Sequence, residues 1–443
     1  MTGQMQMRET IFALSSGGLP AGVAIIRLSG PGVTDALAAM AGEVPPARRA
    51  RLTDIRREDG ALLDRGLILF FPAPHSFTGE DCGELHLHGG RAVVQAVLDL
   101  LGHRPDFRAA EAGEFTRRAF LNGKLDLTGA EALADLIAAE TEAQHRFALA
   151  SGDVRHQQLY AGWRRTLIRA RAMIEAELDF ADEEDVPGSV SGMAWREIED
   201  LCSQMAKHAD GYRDAEIIRD GFRVVILGAP NAGKSSLLNA MARRDIAIVT
   251  DEPGTTRDVL EAVLDIGGAK VIVTDTAGIR ANPGRIEAMG MDRAMDRARD
   301  ADLILLLEDA DNPQPVAPPE NARHIRVANK IDLLAGRLLP DGYDCAVSAA
   351  SGEGLDALFS EIGTISGTST RRAADLLPFR ERHVRLIRAA IRHARRAADM
   401  NGLDLELRAE ELRLAADALG RIAGTIDVED LLDTIFSQFC IGK

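Results

Sequence analysis

One octapeptide constrains the fold of this 443-residue chain more than any other feature of its sequence. Gly228–Ser235 reads GAPNAGKS and matches the pattern GxxxxGK[ST]. The apolar run Arg223–Leu227 before it is typical of a strand, and Ser236–Met241 after it is typical of a helix. Backbone N–H groups and a helix N-terminus attract phosphate oxygens, so this strand–loop–helix order predicts a nucleotide phosphate-binding loop.

The residues around this loop predict how a bound nucleotide is contacted. Lys234 is expected to reach the β- and γ-phosphates, and the Ser235 hydroxyl is expected to coordinate Mg²⁺. Thr256 lies where a switch threonine would also close on Mg²⁺. A strand candidate ends in Asp275-Thr276-Ala277-Gly278, in which the aspartate would hold Mg²⁺ through water and the glycine N–H would sense the γ-phosphate.

Two later motifs indicate guanine as the base. Asn329-Lys330-Ile331-Asp332 follows the strand candidate Ile325–Ala328, and a carboxylate there can accept from both N–H groups on the edge of guanine. Ser348-Ala349-Ala350 would supply a backbone N–H to the guanine oxygen, although Ala350 stands where many GTPases have a stacking lysine. GTP is therefore the expected nucleotide, with ATP a poor second choice. The expected nucleotide-binding residues are Asn231, Ala232, Gly233, Lys234, Ser235, Ser236, Thr250, Asp251, Glu252, Pro253, Gly254, Thr255, Thr256, Asp275, Thr276, Ala277, Gly278, Asn329, Lys330, Asp332, Ser348, Ala349 and Ala350.

The pattern of apolar runs divides the chain into an N-terminal α+β part, helical parts and an α/β part. Val23–Leu28, Gly66–Phe71 and Glu84–His88 are strand candidates of the first part. Thr128–Glu131 fits a capping box, followed by an Ala- and Leu-rich helical run to Ala150. Because helical segments precede and follow the phosphate-loop part, we expect a GTPase domain inserted into a helical domain. The expected boundaries are 1–122, 123–215, 216–370 and 371–443.

Charge and cysteine content narrow the class of protein. A net charge of −16 excludes a polybasic nucleic-acid binder but leaves room for a local basic patch. Nine arginines and two acids between 371 and 396 form such a patch; it could contact nucleic acid or pair with the seven acids between 175 and 185. Four scattered cysteines without CxxC, and no apolar run of about 18 residues, make a cytoplasmic protein the expectation.

The residue that positions the attacking water is not evident from the standard motifs. Ile279 follows Gly278, where Ras-like proteins have a water-orienting glutamine. Glu287 is the only carboxylate between Ile279 and the helical run near Met289. From spacing alone Glu287 is either the water-orienting group or a solvated helix residue.

Taken together, these motifs make the chain resemble the tRNA-modification GTPase family MnmE, also called TrmE. The blocks that carry the resemblance are the phosphate loop with Asn231, Gly254–Asp258, Asp275–Gly278, Ser76–Asp81, Glu114–Lys124 and the terminal Phe439-Cys440-Ile441-Gly442-Lys443. The resemblance implies a multidomain α/β protein: an N-terminal folate-binding and dimerisation domain, a discontinuous helical domain and an inserted Ras-like GTPase domain. It covers nearly the whole chain.

The family resemblance also implies partners and chemistry. It implies a homodimer that works with an FAD-dependent MnmG-type partner, in a heterotetramer or larger complex, on carbon 5 of the wobble uridine of certain tRNAs. The group added is aminomethyl or carboxymethylaminomethyl, its one-carbon unit coming from 5-formyl- or 5,10-methylene-tetrahydrofolate. FAD would come only through the partner, and no membrane is involved.

Roles carried over from the family fall on matching positions of this sequence. Glu287 matches the residue that orients the attacking water, and Cys440 matches a cysteine required for modification, whose chemistry stays open between nucleophile, acid and structural thiol. The positions matching the K⁺ ligands are Asn231 through its side chain and Thr250, Glu252 and Thr255 through their carbonyls. The positions matching the folate site are Arg27, Glu84, Lys124 and Lys443.

One function of another class stays open. A regulatory GTPase of the Era or Der type, acting in ribosome assembly, would share the phosphate loop and the apolar residue after Gly278. Such proteins lack the N-terminal blocks and the terminal CIGK sequence, and these features favour the modification enzyme.

Overall fold

The computed structural model divides the chain into two compact units. Unit 1 comprises Met1–Ala134 and Asp417–Lys443, and unit 2 comprises Asp135–Ala416. The structure describes residues 9–179, 191–244, 247, 261–275, 295–334, 337–339, 341–399, 404–424, 432, 435–437, 439 and 442. The three-domain division stays a prediction.

Unit 1 is built on a six-stranded mixed sheet. Its strands are β1 Thr10–Leu14, β2 Ala21–Ser29, β3 Arg51–Arg56, β4 Leu62–Phe71, β5 Cys82–Gly89 and β6 Phe107–Ala109. The spatial order is β3-β4-β5-β2-β1-β6, and all neighbours are antiparallel except β1 and β6. Strands β2, β4 and β5 contain the three strand candidates of the N-terminal part, which confirms those predictions.

Helices cover the apolar side chains of this sheet. The helices of unit 1 and its borders are α1 Val33–Ala41, α2 Arg91–Gly102, α3 Glu114–Leu121 and α4 Leu127–Ala138. Leu37 of α1 and Val97 of α2 are fully buried in one cluster with Ile26 and Leu85 of the sheet. Burial of such side chains stabilises the fold by about 1.5–3 kcal/mol each.

Unit 2 contains a second six-stranded sheet. Its strands are β7 Phe222–Leu227, β8 Glu261–Ile266, β9 Ala269–Asp275, β10 Leu303–Asp309, β11 His324–Asn329 and β12 Cys345–Ala346. The spatial order is β12-β11-β10-β7-β9-β8, and all pairs are parallel except the β8–β9 hairpin. This mostly parallel sheet confirms the expected Ras-like α/β architecture. It brings the carboxyl ends of β7, β9, β10 and β11 to one edge, where ligands bind in open α/β sheets.

The helices of unit 2 precede, interrupt and follow this sheet. They are α5 Glu142–Ser151, α6 Val154–Asp179, α7 Ser191–Asp210, α8 Tyr212–Asp220, α9 Lys234–Ala242, α10 Leu355–Thr370, α11 Glu381–Ala398 and α12 Leu405–Ile422. The borders between the units fall inside α4 and α12. No described helix is long and apolar enough to cross a membrane.

One helical prediction is wrong in its start and in its continuity. Helix α4 begins at Leu127, and the Asp126 carboxylate accepts the Gly129 N–H at 2.7 Å, so Asp126 rather than Thr128 caps it. The expected continuous run to Ala150 is interrupted after Ala138. The capping box lies at the second helix instead: the Thr141 hydroxyl accepts the Gln144 N–H, and Gln144 reaches back to the Thr141 N–H.

Candidate functional site

The phosphate loop lies between a strand and a helix, as its sequence predicts. Strand β7 ends at Leu227 and α9 begins at Lys234, with Asn231 at φ 66° and Gly233 at φ 95° between them. A Cβ atom on Gly233 would lie 2.3 Å from Asn329 Nδ2, and one on Gly228 would lie 2.3 Å from the Leu307 carbonyl oxygen. Both positions therefore require glycine.

Lys234 lies across the loop. Its Nζ donates to the carbonyl oxygens of Gly228 at 2.9 Å and Ala229 at 3.0 Å. Burial lowers the pKa of Lys234, while the nearby Asp275 carboxylate opposes that shift. A cation held by two neutral carbonyls can exchange them for anionic phosphate oxygens, which are stronger acceptors.

Two residues expected at the Mg²⁺ site meet although 40 positions separate them. The Ser235 hydroxyl donates to Asp275 Oδ2 at 2.5 Å. Ser235 is exposed at the start of α9, whereas Asp275 is buried at the end of β9. A hydroxyl and a carboxylate are ligands that suit Mg²⁺, so this pair fits that ion.

Asn329 joins the phosphate loop to the expected guanine loop, Ser348–Ala350. Its Nδ2 donates to the Ala232 carbonyl oxygen at 2.9 Å, and its Oδ1 accepts the Ala349 N–H at 3.1 Å. The Ser348 hydroxyl donates to Asp332 Oδ1 at 2.5 Å, and Asp332 remains exposed. The described motifs thus form one continuous site along the sheet edge, in which the Ala349 N–H is already bonded to Asn329.

The structure adds residues that the motifs do not contain. Lys330 Nζ lies 2.7 Å from Asp309 Oδ2 at the end of β10. Although burial tends to raise the pKa of Asp309, hydrogen bonds from Lys330 and from backbone N–H groups keep it below its usual value. Asn312 and Gln314, from the Pro-rich stretch 311–320 after β10, line a polar cavity with Asn231 of the phosphate loop. Only the fold brings these groups together.

Unit 1 holds a second cluster of expected site residues. Arg27 on β2 and Glu84 on β5 are register partners, with Arg27 Nη2 3.1 Å from Glu84 Oε1. The Arg27 guanidinium lies 5.7 Å from the ring centre of Phe77, and Glu84 Oε2 is also 3.2 Å from His86 Nε2. Lys124 Nζ donates to the Pro74 carbonyl oxygen at 2.8 Å, in the segment that leads to Phe77.

A buried ion network, which sequence reasoning missed, joins the two N-terminal blocks. Arg118 of the second block donates to Glu80 of the first at 3.0 Å and to Glu114 at 3.1 Å. Burial raises the pKa of Glu114, but Arg108, the Glu111 N–H and Arg118 reverse this and hold it below its usual range. The charged residues inside both blocks are the only sequence signal for this ion network, and which of them pair is decided by the fold.

The remaining expected residues lie outside the described part of the chain. They are Thr250, Asp251, Glu252, Pro253, Gly254, Thr255, Thr256, Thr276, Ala277, Gly278, Glu287, Cys440 and Lys443. Their roles stay predictions. Among the residues that the structure does describe, no group of three or more His, Cys, Asp or Glu side chains is placed to hold a metal ion.

Two family models and full-length relatives match the chain. A model of the MnmE helical domain matches residues 127–440, and one of the GTP-binding protein TrmE N-terminus matches 10–124. The chain is 59% identical to a tRNA modification GTPase MnmE of Chelativorans sp. (strain BNC1) over 100% of both chains. It is 56% identical to one of Mesorhizobium japonicum over 98% of this chain and 99% of the relative.

Solved structures match parts of the chain. An Aquifex aeolicus Era variant bound to GDP and aluminium fluoride is 30% identical, with 32% of this chain and 56% of that chain covered and a TM-score of 0.25. The FeoB G-domain of Methanococcus jannaschii is 21% identical, with 33% and 98% covered and a TM-score of 0.26. The two family models and the full-length relatives decide the matter: the chain belongs to the MnmE family of tRNA modification GTPases.

Proposed function

We propose that this protein hydrolyses GTP and uses that reaction in the modification of wobble uridines in tRNA. The GTPase part rests on the position of Asn329. Its side chain is hydrogen-bonded to Ala232 of the phosphate loop and to Ala349 of the guanine loop. Membership of a family whose curated relatives are named tRNA modification GTPases supports the tRNA part.

The described residues account for GTP binding. Lys234 would leave the carbonyl oxygens of Gly228 and Ala229 and take up the β- and γ-phosphates. Ser235 and Asp275 would hold Mg²⁺, the serine directly and the aspartate through water, and Thr256 would complete the set. The ion supplies charge neutralisation at the phosphates. Asp332 would accept from guanine once its exposed carboxylate turns toward the base.

We propose that Glu287 orients the attacking water and that K⁺ takes the place of an arginine finger. Asn231 would bind K⁺ through its side chain, and Thr250, Glu252 and Thr255 through carbonyls. Asn231 is exposed and has a left-handed backbone, and it lines the polar cavity beside the phosphate loop, which supports an accessible cation ligand. A monovalent cation there would offset negative charge developing between the β- and γ-phosphates.

Hydrolysis rates test this mechanism. We expect faster GTP hydrolysis in K⁺ than in Na⁺, and equal rates would contradict the cation site. Glu287→Ala should slow hydrolysis at least tenfold with little change in GTP affinity, because the residue acts on water rather than on the nucleotide. Glu320→Ala, an exposed acid in the Pro-rich stretch, is the matched control. A wild-type rate in Glu287→Ala would remove the water-orienting role.

We propose that unit 1 binds the tetrahydrofolate one-carbon donor. The ion-paired Arg27 and Glu84, near the Phe77 ring, combine groups that suit a glutamyl carboxylate, pterin N–H groups and an aromatic face. Lys124 and Lys443 would add positive charge. Cys440 would serve the modification step in a role that stays open.

The proposal also includes an assembly and a location. The chain would act as a homodimer, with an FAD-dependent MnmG-type partner in a heterotetramer or larger complex. The location would be the cytoplasm, which the free thiols of Cys82, Cys202 and Cys345 support.

Gene deletion tests the function as a whole. We expect the C5 modification of wobble uridine to disappear from tRNA nucleosides analysed by mass spectrometry, and to return with the wild-type gene but not with Lys234→Ala. Unchanged modification in the deletion strain would contradict the proposal. A defect in ribosomal subunits with intact modification would favour the Era or Der type of function.

A further inference from the structure

Helix α11 carries a line of exposed arginines along one face. Arg385, Arg388, Arg392 and Arg395 are all exposed, and we call them the arginine stripe. At 3.6 residues per turn they fall within about 80° around the helix axis and span about 15 Å along it. The opposite face is buried and consists of His383, Val384, Ile387, Ala390, Ile391, Ala394 and Ala397.

The stripe differs from other arginines of the same basic stretch, which have ion-pair partners among the described residues. Arg372 pairs with Asp214, Arg380 lies 2.8 Å from Asp135, and Arg396 lies 3.2 Å from Glu411. Within the described ranges, none of the four stripe residues makes an ion pair or a side-chain hydrogen bond.

Among the described residues, no stripe arginine forms an ion pair with the acidic run between 175 and 185. Glu175 pairs with Arg171 at 2.7 Å instead. The acids at 182–185 lie outside the described residues.

Like charges along one face, with no ion-pair partner among the described residues, destabilise the helix. Neighbours in the stripe are three or four positions apart, the spacing at which like charges on a helix repel each other. The chain as a whole carries −16, so this positive surface is local. A row of positive charges has the most favourable electrostatic free energy of binding with a ligand that is itself a row of negative charges.

We propose that the arginine stripe binds the phosphate backbone of tRNA, an inference that rests on the proposed function. The planar guanidinium forms paired hydrogen bonds with phosphate oxygens. Protein interfaces centre on apolar or aromatic anchors, and the described part of α11 exposes no large apolar side chain. The stripe therefore fits a nucleic-acid backbone better than an acidic protein surface.

Charge reversal at the middle of the stripe tests the proposal. In the full-length protein, Arg388→Glu/Arg392→Glu should weaken binding of a purified tRNA with a wobble uridine at least tenfold, measured by fluorescence anisotropy over a range of KCl concentrations. The slope of log affinity against log salt should fall in magnitude by about 1–2, because two phosphate contacts are lost. Arg388→Lys/Arg392→Lys should retain most of the affinity.

The matched control makes the same charge change in unit 1. Arg49 and Arg57 are exposed there without an ion pair or side-chain hydrogen bond within the described residues. Arg49→Glu/Arg57→Glu should change the tRNA affinity less than threefold. Equal losses of tRNA affinity in the two double reversals would overturn the proposal, because they would show that only the net charge of the protein matters.

Other outcomes also overturn the proposal and separate it from the proposed function. If the α11 reversal lowered the unfolding midpoint but left tRNA affinity and salt slope unchanged, the arginines would pair within the protein. If it abolished assembly with the FAD-dependent partner while tRNA binding stayed, the stripe would be a protein contact. In both cases, loss of modification on gene deletion would leave the proposed function standing, whereas unchanged modification would refute the function itself.

Discussion

At the scale of single residues, Gly233 is a position of the phosphate loop where both the backbone conformation and the surroundings exclude a side chain. Its φ of 95° strains any L residue, and its Cβ would meet Asn329 Nδ2 at 2.3 Å. We expect Gly233→Ala to abolish measurable GTP binding and to cost about 1–3 kcal/mol of unfolding free energy in urea titrations. Gly267→Ala is the control, because its φ is 62° but its Cβ faces open space. Equal losses of GTP affinity would show that backbone strain alone matters.

Asp332 allows a second test at this scale, on base specificity. A carboxylate accepts from guanine N–H groups, whereas an amide also offers donors that fit the additional carbonyl of xanthine. We expect Asp332→Asn to weaken GTP binding by about 2 kcal/mol, roughly thirtyfold, and to improve binding of xanthosine triphosphate. Ser348→Ala, which removes only the hydroxyl bonded to Asp332, should keep the preference for GTP. An unchanged preference in Asp332→Asn would exclude contact with the base.

The residues that we propose to contact the nucleotide could be predicted because short motifs contain them. Ser235 and Asp275, which belong to two separate motifs, are joined by a hydrogen bond. Their neighbours could not be predicted in this way: Asp309 pairs with Lys330 across 21 positions, and Arg118 pairs with Glu80 across 38. No motif links such partners, and their pairing is recognised only from the arrangement of strands and helices in the fold.

At the scale of elements, the break between α4 and α5 shows where local pattern fails. An Ala- and Leu-rich run favours helix throughout, but Thr141 caps a new helix that begins at Glu142. In the first turn of this helix, the Ala143 N–H donates to the Gly268 carbonyl oxygen of the β8–β9 turn. A contact between residues more than a hundred positions apart therefore accompanies the helix start. Strands β7, β9 and β11 of the mostly parallel sheet, in contrast, coincide with strand candidates of the sequence, because the strands of such sheets form apolar runs.

Thr141 is the testable part of this helix start. We expect Thr141→Ala to reduce the unfolding free energy by about 1 kcal/mol, because the Gln144 N–H loses its acceptor at the N-cap. Thr364→Ala in α10 is the control, since its exposed hydroxyl donates to the Ser360 carbonyl oxygen within the helix and caps nothing. Urea unfolding monitored by circular dichroism compares the two variants. A loss in Thr364→Ala as large as in Thr141→Ala would argue against a capping role.

At the scale of the whole molecule, a cluster of rings joins segments that flank the GTP-binding sheet in sequence. His156 of α6 and His208 of α7 precede that sheet, and His383 of α11 follows it. The Tyr160 ring lies 5.6 Å from His208 and 6.1 Å from His383, and His156 Nε2 lies 2.9 Å from the Leu377 carbonyl oxygen. The cluster thus packs together helices that precede and follow the α/β insertion in the sequence.

This cluster predicts how the stability of the molecule depends on pH. Burial, together with the charges of His156 and His383, lowers the pKa of His208 to about 3, and burial also lowers that of His156. An unfolded histidine titrates near 6.5, so between about pH 3 and 6.5 the unfolded chain binds a proton at His208 that the folded chain does not. The unfolding free energy should therefore fall on acidification through this window, by up to about 1.4 kcal/mol per pH unit for each such histidine.

His208→Gln should flatten that dependence, because glutamine can still accept from the Tyr160 hydroxyl, which lies 3.1 Å from His208 Nε2, but does not titrate. His324→Gln, at an exposed histidine of the same unit, should leave the slope unchanged. The comparison requires urea unfolding of the three proteins at several pH values between 4 and 7. If His208→Gln kept the full wild-type slope, the acid sensitivity would arise from other groups, and His208 would not be held neutral by its surroundings.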